Sequence, residues 1–318
     1  MAGARIRRWT VTATVLTYML ILIGGLVSAT ESGMGCGPQW PLCNDRWIPE
    51  FASRETVLEY GHRVVAAIVG AATLGAWWMT RQRADQRGLE RVLLVALGLL
   101  VIQSLLGAIT VWLDIPPAVS VVHLVVSQVF FATLVIAATL VYRQAPARPR
   151  TAGAATSLST WAALVALGVI GIGAGVKLAG AGLACGVEFP LCRGSLLPPA
   201  GGTVLLHWLH RFAAAVAAVV VLALVWCLRR SGDPRLRRTS TILVALLALQ
   251  IGLGITAVFT RLEPAVSVAH LGVGTLLFGT LVATRVLVAS PSWEARVGGR
   301  RVSTATAGVP STLPVIER

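Results

Sequence analysis

The sequence contains the same unit twice. The motif Cys36-Gly-Pro-Gln-Trp-Pro-Leu-Cys43 returns 149 positions later as Cys185-Gly-Val-Glu-Phe-Pro-Leu-Cys192. A second block, His62-Arg63, returns 148 positions later as His210-Arg211. A third block returns after 147 positions: Gln103 and Gly107 correspond to Gln250 and Gly254, and Pro117-Ala-Val-Ser-Val-Val-His123 corresponds to Pro264-Ala-Val-Ser-Val-Ala-His270. A near-constant offset across three separate blocks predicts two copies of one structural unit, each about half of the chain.

The composition is that of an integral membrane protein. Hydrophobic residues make up 56% of the chain and charged residues 13%, with a mean hydropathy of +0.78, whereas soluble domains carry about a quarter charged residues. Eight apolar stretches are long enough to cross a bilayer, at about 9–29, 57–79, 92–113, 117–141, 159–179, 203–228, 239–259 and 265–288. The first belongs to the repeat and lacks a small-residue cleavage site, so we interpret it as a span, not a signal peptide.

We therefore predict an all-α integral membrane protein of eight transmembrane helices, four in each copy of the repeat. The expected organisation is a cytoplasmic N-terminus (1–8), an N-terminal bundle (9–142), a cytoplasmic linker (143–157), a C-terminal bundle (158–289) and a cytoplasmic, disordered tail (290–318).

The net charge of +14 is explained by arginines at one side of the membrane. They crowd the N-terminus, the loops after the second and sixth spans, the linker and the tail, and include Arg5, Arg7, Arg8, Arg81, Arg83, Arg87, Arg91, Arg143, Arg148, Arg150, Arg229, Arg230, Arg235, Arg237 and Arg238. The positive-inside rule places both termini and these loops in the cytoplasm. Anionic lipid is then the expected partner of the basic surface, and we expect no nucleic-acid partner.

The two cysteine pairs fall on the opposite, extracytoplasmic side. Six residues that include glycine and proline separate the cysteines of each pair, and such a loop can fold back to close a ring in an oxidising compartment. We expect disulfides between Cys36 and Cys43 and between Cys185 and Cys192. Cys227 has no repeated counterpart and is interpreted as a packing residue.

Four of the five histidines occupy repeated positions in even-numbered spans, at similar depth near the extracytoplasmic face. Two helices of a four-helix bundle can direct one imidazole each at a shared central point. Polar groups inside a bilayer are costly, so four of them favour haem iron ligation by His62, His123, His210 and His270 over simple helix packing through hydrogen bonds. Zinc or copper is disfavoured because each half offers only two histidines and no carboxylate cluster completes the site.

The residues beside these histidines carry two further hypotheses. Arg63 and Arg211 directly follow a histidine, and each can either snorkel to the interface or pair with a haem propionate. Glu59 stands three residues before His62, where the second copy has His207. Glu59 is either a proton-transferring acid near the iron or an acid favoured by the helix dipole. His207 is either a hydrogen-bond partner of the residues around the iron or a surface imidazole, and we favour the surface position.

Taken together, these residues resemble the haem A synthase family. The resemblance covers residues of about 8–290 and rests on Glu59-Tyr-Gly-His62-Arg63, His207-Trp-Leu-His210-Arg211, the two Pro-Ala-Val-Ser-Val blocks that end in His123 and His270, and the two Cys-Gly-x-x-x-Pro-Leu-Cys loops. It implies two four-helix bundles related by a pseudo-twofold axis, with His210 and His270 as ligands of a permanent haem b. It further implies that His62 and His123 hold the substrate haem O, and that Glu59 is the essential acid.

The activity implied by this resemblance is oxidation of the C8 methyl group of haem O to a formyl group, through a hydroxymethyl intermediate (haem I), giving haem A for cytochrome oxidase. The expected location is a bacterial-type plasma membrane. Expected partners are haem O, haem O synthase and an electron acceptor, and the sequence leaves a homo-oligomer open. The alternatives are a bis-haem b electron carrier without haem-modifying chemistry, a haem-transfer or assembly protein, and a structural eight-helix protein that binds no haem.

Overall fold

The structure, a computed structural model, describes residues 2–142, 152–198 and 201–289. Regular structure in these ranges is helical, apart from two isolated bridges, one in each cysteine loop. A short 3-10 turn, Ala84–Gln86, precedes the third long helix. The long helices are α1 (Ala2–Ala29), α2 (Arg54–Arg81), α3 (Arg87–Trp112), α4 (Pro117–Tyr142), α5 (Ala152–Leu178), α6 (Gly202–Arg229), α7 (Pro234–Phe259) and α8 (Pro264–Val288).

All eight of these helices are long and apolar enough to cross a membrane. Their outer surfaces expose large apolar side chains such as Val101, Leu105 and Val219, which would be costly in water over so wide an area and are favourable in lipid. The predicted all-α, eight-span membrane fold is confirmed, and the chain is a multi-pass membrane protein.

The odd-numbered helices begin earlier than predicted. Helix α1 starts at Ala2 where the span was expected from about residue 9, and α5 starts at Ala152 where it was expected from about 159. Residues expected in the N-terminus and in the last part of the linker are therefore helical. The apolar stretch marks only the lipid-facing length, whereas backbone hydrogen bonding continues through the polar turn before it. Residues 143–151 of the predicted linker and the tail 290–318 lie outside the described residues.

The helix starts follow from local sequence. Pro117, Pro234 and Pro264 occupy the first helical positions of α4, α7 and α8, where the missing N–H costs nothing and the fixed φ already suits a helix. At α2 the hydroxyl of Ser53 accepts a hydrogen bond from the amide of Thr56, which is an N-cap. These signals fix where α2, α4 and α8, three of the four histidine-bearing helices, begin.

The helices pack in two sets. In the first set, α1 to α4, the pairs α1–α2, α2–α3, α3–α4 and α4–α1 are in contact, and α5 to α8 repeat this ring. Each set has its own core of buried side chains, with Val69, Leu93 and Leu134 in the first and Leu224 and Leu281 in the second. The two sets meet through α1 with α8 and through α4 with α5 and α8.

A contact between the sets joins two repeat-equivalent residues. The Gln128 amide donates a 3.0 Å hydrogen bond to the hydroxyl of Thr275, and both residues stand twelfth in their helices, α4 and α8. Equivalent residues meet where a twofold axis passes between two copies. The pseudo-twofold relation itself stays a prediction, and this contact agrees with it.

The cysteine loops and the short α3–α4 and α7–α8 turns lie at one end of the molecule, called here the loop end. Trp40 of the first loop contacts Trp112 at the end of α3, with ring centroids 6.3 Å apart. A Cβ at Gly33 would lie 2.8 Å from Ile115, and one at Gly182 would lie 2.5 Å from Leu262. The turns therefore pack directly under the cysteine loops, close to the starts of the even helices.

Candidate functional site

The four repeated histidines lie at matching positions near the loop end. His62 and His210 are the ninth residues of α2 and α6, and His123 and His270 are the seventh residues of α4 and α8. At about 1.5 Å rise per residue, they lie about 12 Å and about 9 Å from the starts of their helices. Each helix set therefore holds two imidazoles at a similar level.

The imidazoles come together in pairs within each set. His62 lies close enough to His123 for an electrostatic interaction, and His210 is close enough to His270. The Nδ1 atoms of His123, His210 and His270 are buried and have no hydrogen-bond partner among the described residues. Buried polar atoms are rarely left unpaired, so each set presents imidazole nitrogens whose hydrogen-bonding or ligating capacity the described part of the protein does not use.

Each imidazole packs against a glycine of the preceding helix. A Cβ on Gly24 would lie 3.2 Å from the His62 ring, and one on Gly107 would lie 3.4 Å from the His123 ring. In the second set the distances are shorter, 2.9 Å from Gly173 to His210 and 3.0 Å from Gly254 to His270. The absence of a side chain at these four positions gives the rings their room, because a Cβ would meet them at or below van der Waals contact.

Two repeated glutamines flank the histidines of α4 and α8. The side-chain amide of Gln103 donates a 2.9 Å hydrogen bond to the backbone carbonyl of His123. The corresponding nitrogen of Gln250 lies 3.3 Å from the Nε2 atom of His270. Both glutamines thus brace the second histidine of their set, through its backbone in one set and through its ring in the other.

The first cysteine loop, 36–43, is fastened to α2 through a carboxylate. The backbone amide of Cys36 donates a 2.8 Å hydrogen bond to Oε2 of Glu59, and Oε1 of Glu59 forms a 2.5 Å ion pair with Nη2 of Arg63. Nη1 of Arg63 then donates to the carbonyls of Gln39 and Leu42, at 3.1 and 2.9 Å. We call this group the first anchor; Glu59 is only 5% exposed within it.

The second cysteine loop, 185–192, is fastened to α6 at the equivalent positions. The Cys185 amide lies 3.4 Å from Nδ1 of His207, and Nε of Arg211 lies 3.2 Å from Nε2 of the same ring. Nη1 of Arg211 donates to the carbonyls of Glu188 and Leu191, at 2.8 and 2.9 Å. We call this group the second anchor. In it an imidazole stands where the first anchor has a carboxylate.

The structure corrects the interpretation of His207 as a surface imidazole. The residue is 4% exposed and lies between the second cysteine loop and Arg211. The sequence suggested a surface position because His207 stands only five residues after the start of α6. The loop folds back over this first turn and covers it, which is a tertiary effect that helix position does not reveal.

The predicted disulfides are present. Cys36 is bonded to Cys43 and Cys185 to Cys192, each pair separated by seven positions, and all four sulfur-bearing residues are buried. Cys227 is a free, buried cysteine that packs in the core of the second set, as predicted. Each disulfide closes one of the loops that the anchors fasten to α2 and α6, and neither disulfide lies within an imidazole pair.

Sequence reasoning missed two parts of this site. Gly24 and Gly173, behind the histidines of α2 and α6, were not recognised, although their spacing of 149 matches that of the cysteine loops. The contacts of Arg63 and Arg211 with loop carbonyls were also missed. A search of the repeat for equivalent glycines could have found the first; the second depends on how each loop folds.

Comparison with known proteins identifies the family. The model of the COX15-CtaA family, described as cytochrome oxidase assembly protein, matches residues 7–282. A protein of Halalkalibacterium halodurans named heme A synthase is 34% identical over 277 residues, covering 85% of this chain and 93% of that protein. The chain belongs to the haem A synthase family.

Further relatives carry the same name. The heme A synthase of Alkalihalophilus pseudofirmus is 31% identical over 294 residues, covering 91% of this chain and 99% of that protein. That of Symbiobacterium thermophilum is 32% identical over 280 residues, covering 84% and 90%. The family match spans both helix sets, including both histidine pairs and both anchors, so membership concerns the whole architecture and the predicted resemblance is confirmed.

Proposed function

We propose that this protein is a haem A synthase, an oxidoreductase that converts the C8 methyl group of haem O to a formyl group. The observation that carries the proposal is an asymmetry within a repeat. Both sets hold a pair of imidazoles, but among the described residues only the first has a buried carboxylate, Glu59, one helical turn from a histidine. A duplicated binding site with one reactive copy suits an enzyme better than a pair of equivalent carriers.

The residues present fit haem. Each set offers two imidazoles on different helices, three of the four with an unpaired buried Nδ1 atom, and iron in haem proteins is commonly held by such axial histidines. We propose that His62 and His123 hold the substrate haem O in the first set and that His210 and His270 hold a permanent haem b in the second. Bound haem b would supply one-electron transfer.

The proposed reaction proceeds in two steps that each remove two electrons. In the first, the methyl group and one water give the hydroxymethyl group of haem I, two protons and two electrons. In the second, the hydroxymethyl group gives the formyl group of haem A, again with loss of two protons and two electrons. Glu59 would accept one of these protons in the first set, where the substrate is held. The electrons would leave to an acceptor outside this chain.

We also propose the orientation in the membrane. The ends opposite the loop end carry Arg81, Arg83, Arg87 and the arginines around residue 235, and the positive-inside rule assigns such ends to the cytoplasm. The disulfide-bonded loops would then face an oxidising extracytoplasmic space. Haem O is a lipid-soluble substrate, so delivery within the bilayer by a haem O synthase is the expected route.

Pigment extraction tests the function. The full-length protein, co-expressed with a haem O synthase and purified in detergent, should yield haem b together with haem O, haem I or haem A on reversed-phase chromatography and mass spectrometry. The near-identical histidine pairs favour one rival, a bis-haem b electron carrier. Two equivalents of haem b with no trace of the oxidised haems, from cells that make haem O, would contradict the synthase and support the carrier.

A further inference from the structure

The two anchors differ in how many hydrogen-bond donors of their arginine have a partner. In the first anchor, Nη2 of Arg63 is paired with Glu59. In the second, Nη2 of Arg211 is buried and has no hydrogen-bond partner among the described residues. The nearest acid that influences it, Glu188, uses its Oε2 atom to accept from the Gly194 amide. An unpaired buried N–H of a charged group is among the more costly defects of a folded protein.

The difference follows from the chemistry of residues 59 and 207. A carboxylate only accepts, so Glu59 serves the Cys36 amide with one oxygen and Arg63 with the other. A neutral imidazole carries one N–H and one acceptor nitrogen. His207 therefore accepts from Arg211 or from the Cys185 amide, not from both, and it brings no negative charge. Among the described residues Arg211 therefore lacks the direct ion pair that Arg63 makes with Glu59. Glu188, which stands where the first loop has Gln39, acts on Arg211 only through a longer-range electrostatic interaction.

The rest of the guanidinium is held firmly. Nη1 of Arg211 donates to the carbonyls of Glu188 and Leu191. The guanidinium carbon of Arg211 lies 6.0 Å from the centroid of the Phe189 ring, which is within cation–π distance. Arg211 directly follows His210 on the same helix. The guanidinium also lies close enough to His210 for an electrostatic interaction. The unpaired Nη2 atom is thus a donor held near a proposed haem ligand, and a guanidinium N–H binds a carboxylate strongly.

We propose that Nη2 of Arg211 binds a propionate carboxylate of the haem held in the second set, and that Glu59 fills the same place in the first set. The haem of the first set is then held without this contact. The proposal rests on the proposed function, in which one set retains haem b while the other must release its product. The exchange of Glu59 for His207, which removes the direct ion pair of the arginine, would give the two sets different affinity for their haem while leaving the four repeated histidines alike.

The experiment is a charge exchange at position 207. His207→Glu adds a carboxylate that can pair with Arg211, whereas His207→Gln is the neutral control that keeps a hydrogen-bonding side chain. Both are made in the full-length His62→Ala background, so that only haem b of the second set is read. Haem release to apomyoglobin should be about tenfold faster with Glu than with Gln, the size expected for one charge-assisted hydrogen bond. Equal rates for two folded variants would overturn the proposal.

A second measurement does not depend on the folding of that variant. The same His62→Ala chain, produced without haem, is titrated with haem b and with haem b whose propionates are esterified. Haem b should bind about tenfold more tightly than the ester, and Arg211→Gln should remove most of this preference. Equal affinity for both pigments in the chain with Arg211 would overturn the proposal. Failure to find haem A in the pigment test would refute the synthase alone, because neither measurement here depends on turnover.

Discussion

The two anchors show how one substitution can separate two copies of a structure. Both hold a disulfide-closed loop on the first turns of a histidine-bearing helix. In both, the arginine donates to the carbonyls of the fourth and seventh residues of the loop. The first anchor contains a buried ion pair and the second a neutral imidazole. Duplication preserves the geometry, and residues 59 and 207 change the charge within it.

The contacts between the glycines and the imidazoles are closer in the second set than in the first. The imidazoles of the second set lie 2.9 and 3.0 Å from the positions where a Cβ would stand, while those of the first set lie 3.2 and 3.4 Å away. A closer contact leaves a ring fewer orientations. Tighter rings and a free arginine donor both belong to the set proposed to retain its haem.

The largest effect is expected from removing a histidine. His210→Ala or His270→Ala should abolish the haem b that remains after purification, because an axial ligand is lost, whereas His62→Ala or His123→Ala should leave that haem in place and abolish haem A formation. The pyridine haemochrome spectrum measures the first and chromatography of extracted pigment the second. Loss of haem b in the His62→Ala variant would reverse the assignment of the two sets.

The second-largest effect is expected on the rate of haem A formation, which should depend on Glu59 but hardly on His207. Glu59→Gln keeps a side chain that can accept from the Cys36 amide but removes the base, so haem A formation should fall by about 100-fold or more, within the range of general acid–base catalysis. His207→Gln, the matched change in the second anchor, should alter the rate by less than about threefold. Initial rates in membranes supplied with haem O provide the measurement. A normal haem A yield from the Glu59→Gln protein would remove Glu59 from the reaction.

Most of the fold could be predicted from the sequence. The eight spans are long apolar runs, and the offset of the repeat identified equivalent helices without any structure. The starts of α1 and α5 could not be predicted, because a helix continues into polar turns that carry no hydropathy signal. Two of the three helix starts marked by proline, at Pro117 and Pro264, were placed within one residue, whereas α7 begins at Pro234 although its span was expected from about residue 239.

The candidate site could be predicted only in part. Residues whose type is unusual in a membrane, such as His62, His210 and Glu59, stand out in an apolar sequence. The loop partners of Arg63 and Arg211 could not be predicted, because they are backbone carbonyls and every residue has one. The burial of His207 likewise depends on a loop that folds back over the helix, and nothing in the local pattern indicates it.

A smaller effect is expected from filling the glycine contacts. Gly173→Ala and Gly254→Ala should lower haem b content by roughly threefold to tenfold and shift the low-spin g-values in the electron paramagnetic resonance spectrum, because a Cβ within about 3 Å of a ring must displace it. Gly175→Ala and Gly252→Ala are matched controls, since a Cβ at either position meets no atom within 4 Å. Gly24→Ala and Gly107→Ala should disturb the first set less. Identical spectra for Gly254→Ala and Gly252→Ala would show that the contact does not orient the ligand.

The smallest effect on activity is expected from the disulfides. Closing a ring of this length stabilises a fold by about 2–3 kcal/mol in the chain-entropy view, but each loop is also held by its anchor. The first anchor adds an ion pair and two well-satisfied acceptors, so Cys36→Ser with Cys43→Ser should lower the thermal midpoint less than Cys185→Ser with Cys192→Ser. The yield of haem A from the variant with Cys36→Ser and Cys43→Ser should stay within about twofold of the yield from the unmodified protein. Unfolding followed by tryptophan fluorescence and haem A yield under reductant provide the measurements. If reduction stopped haem A formation while the thermal midpoint and haem content were unchanged, the first disulfide would carry electrons rather than hold the loop, and the two loops would differ in chemistry as well as in strength.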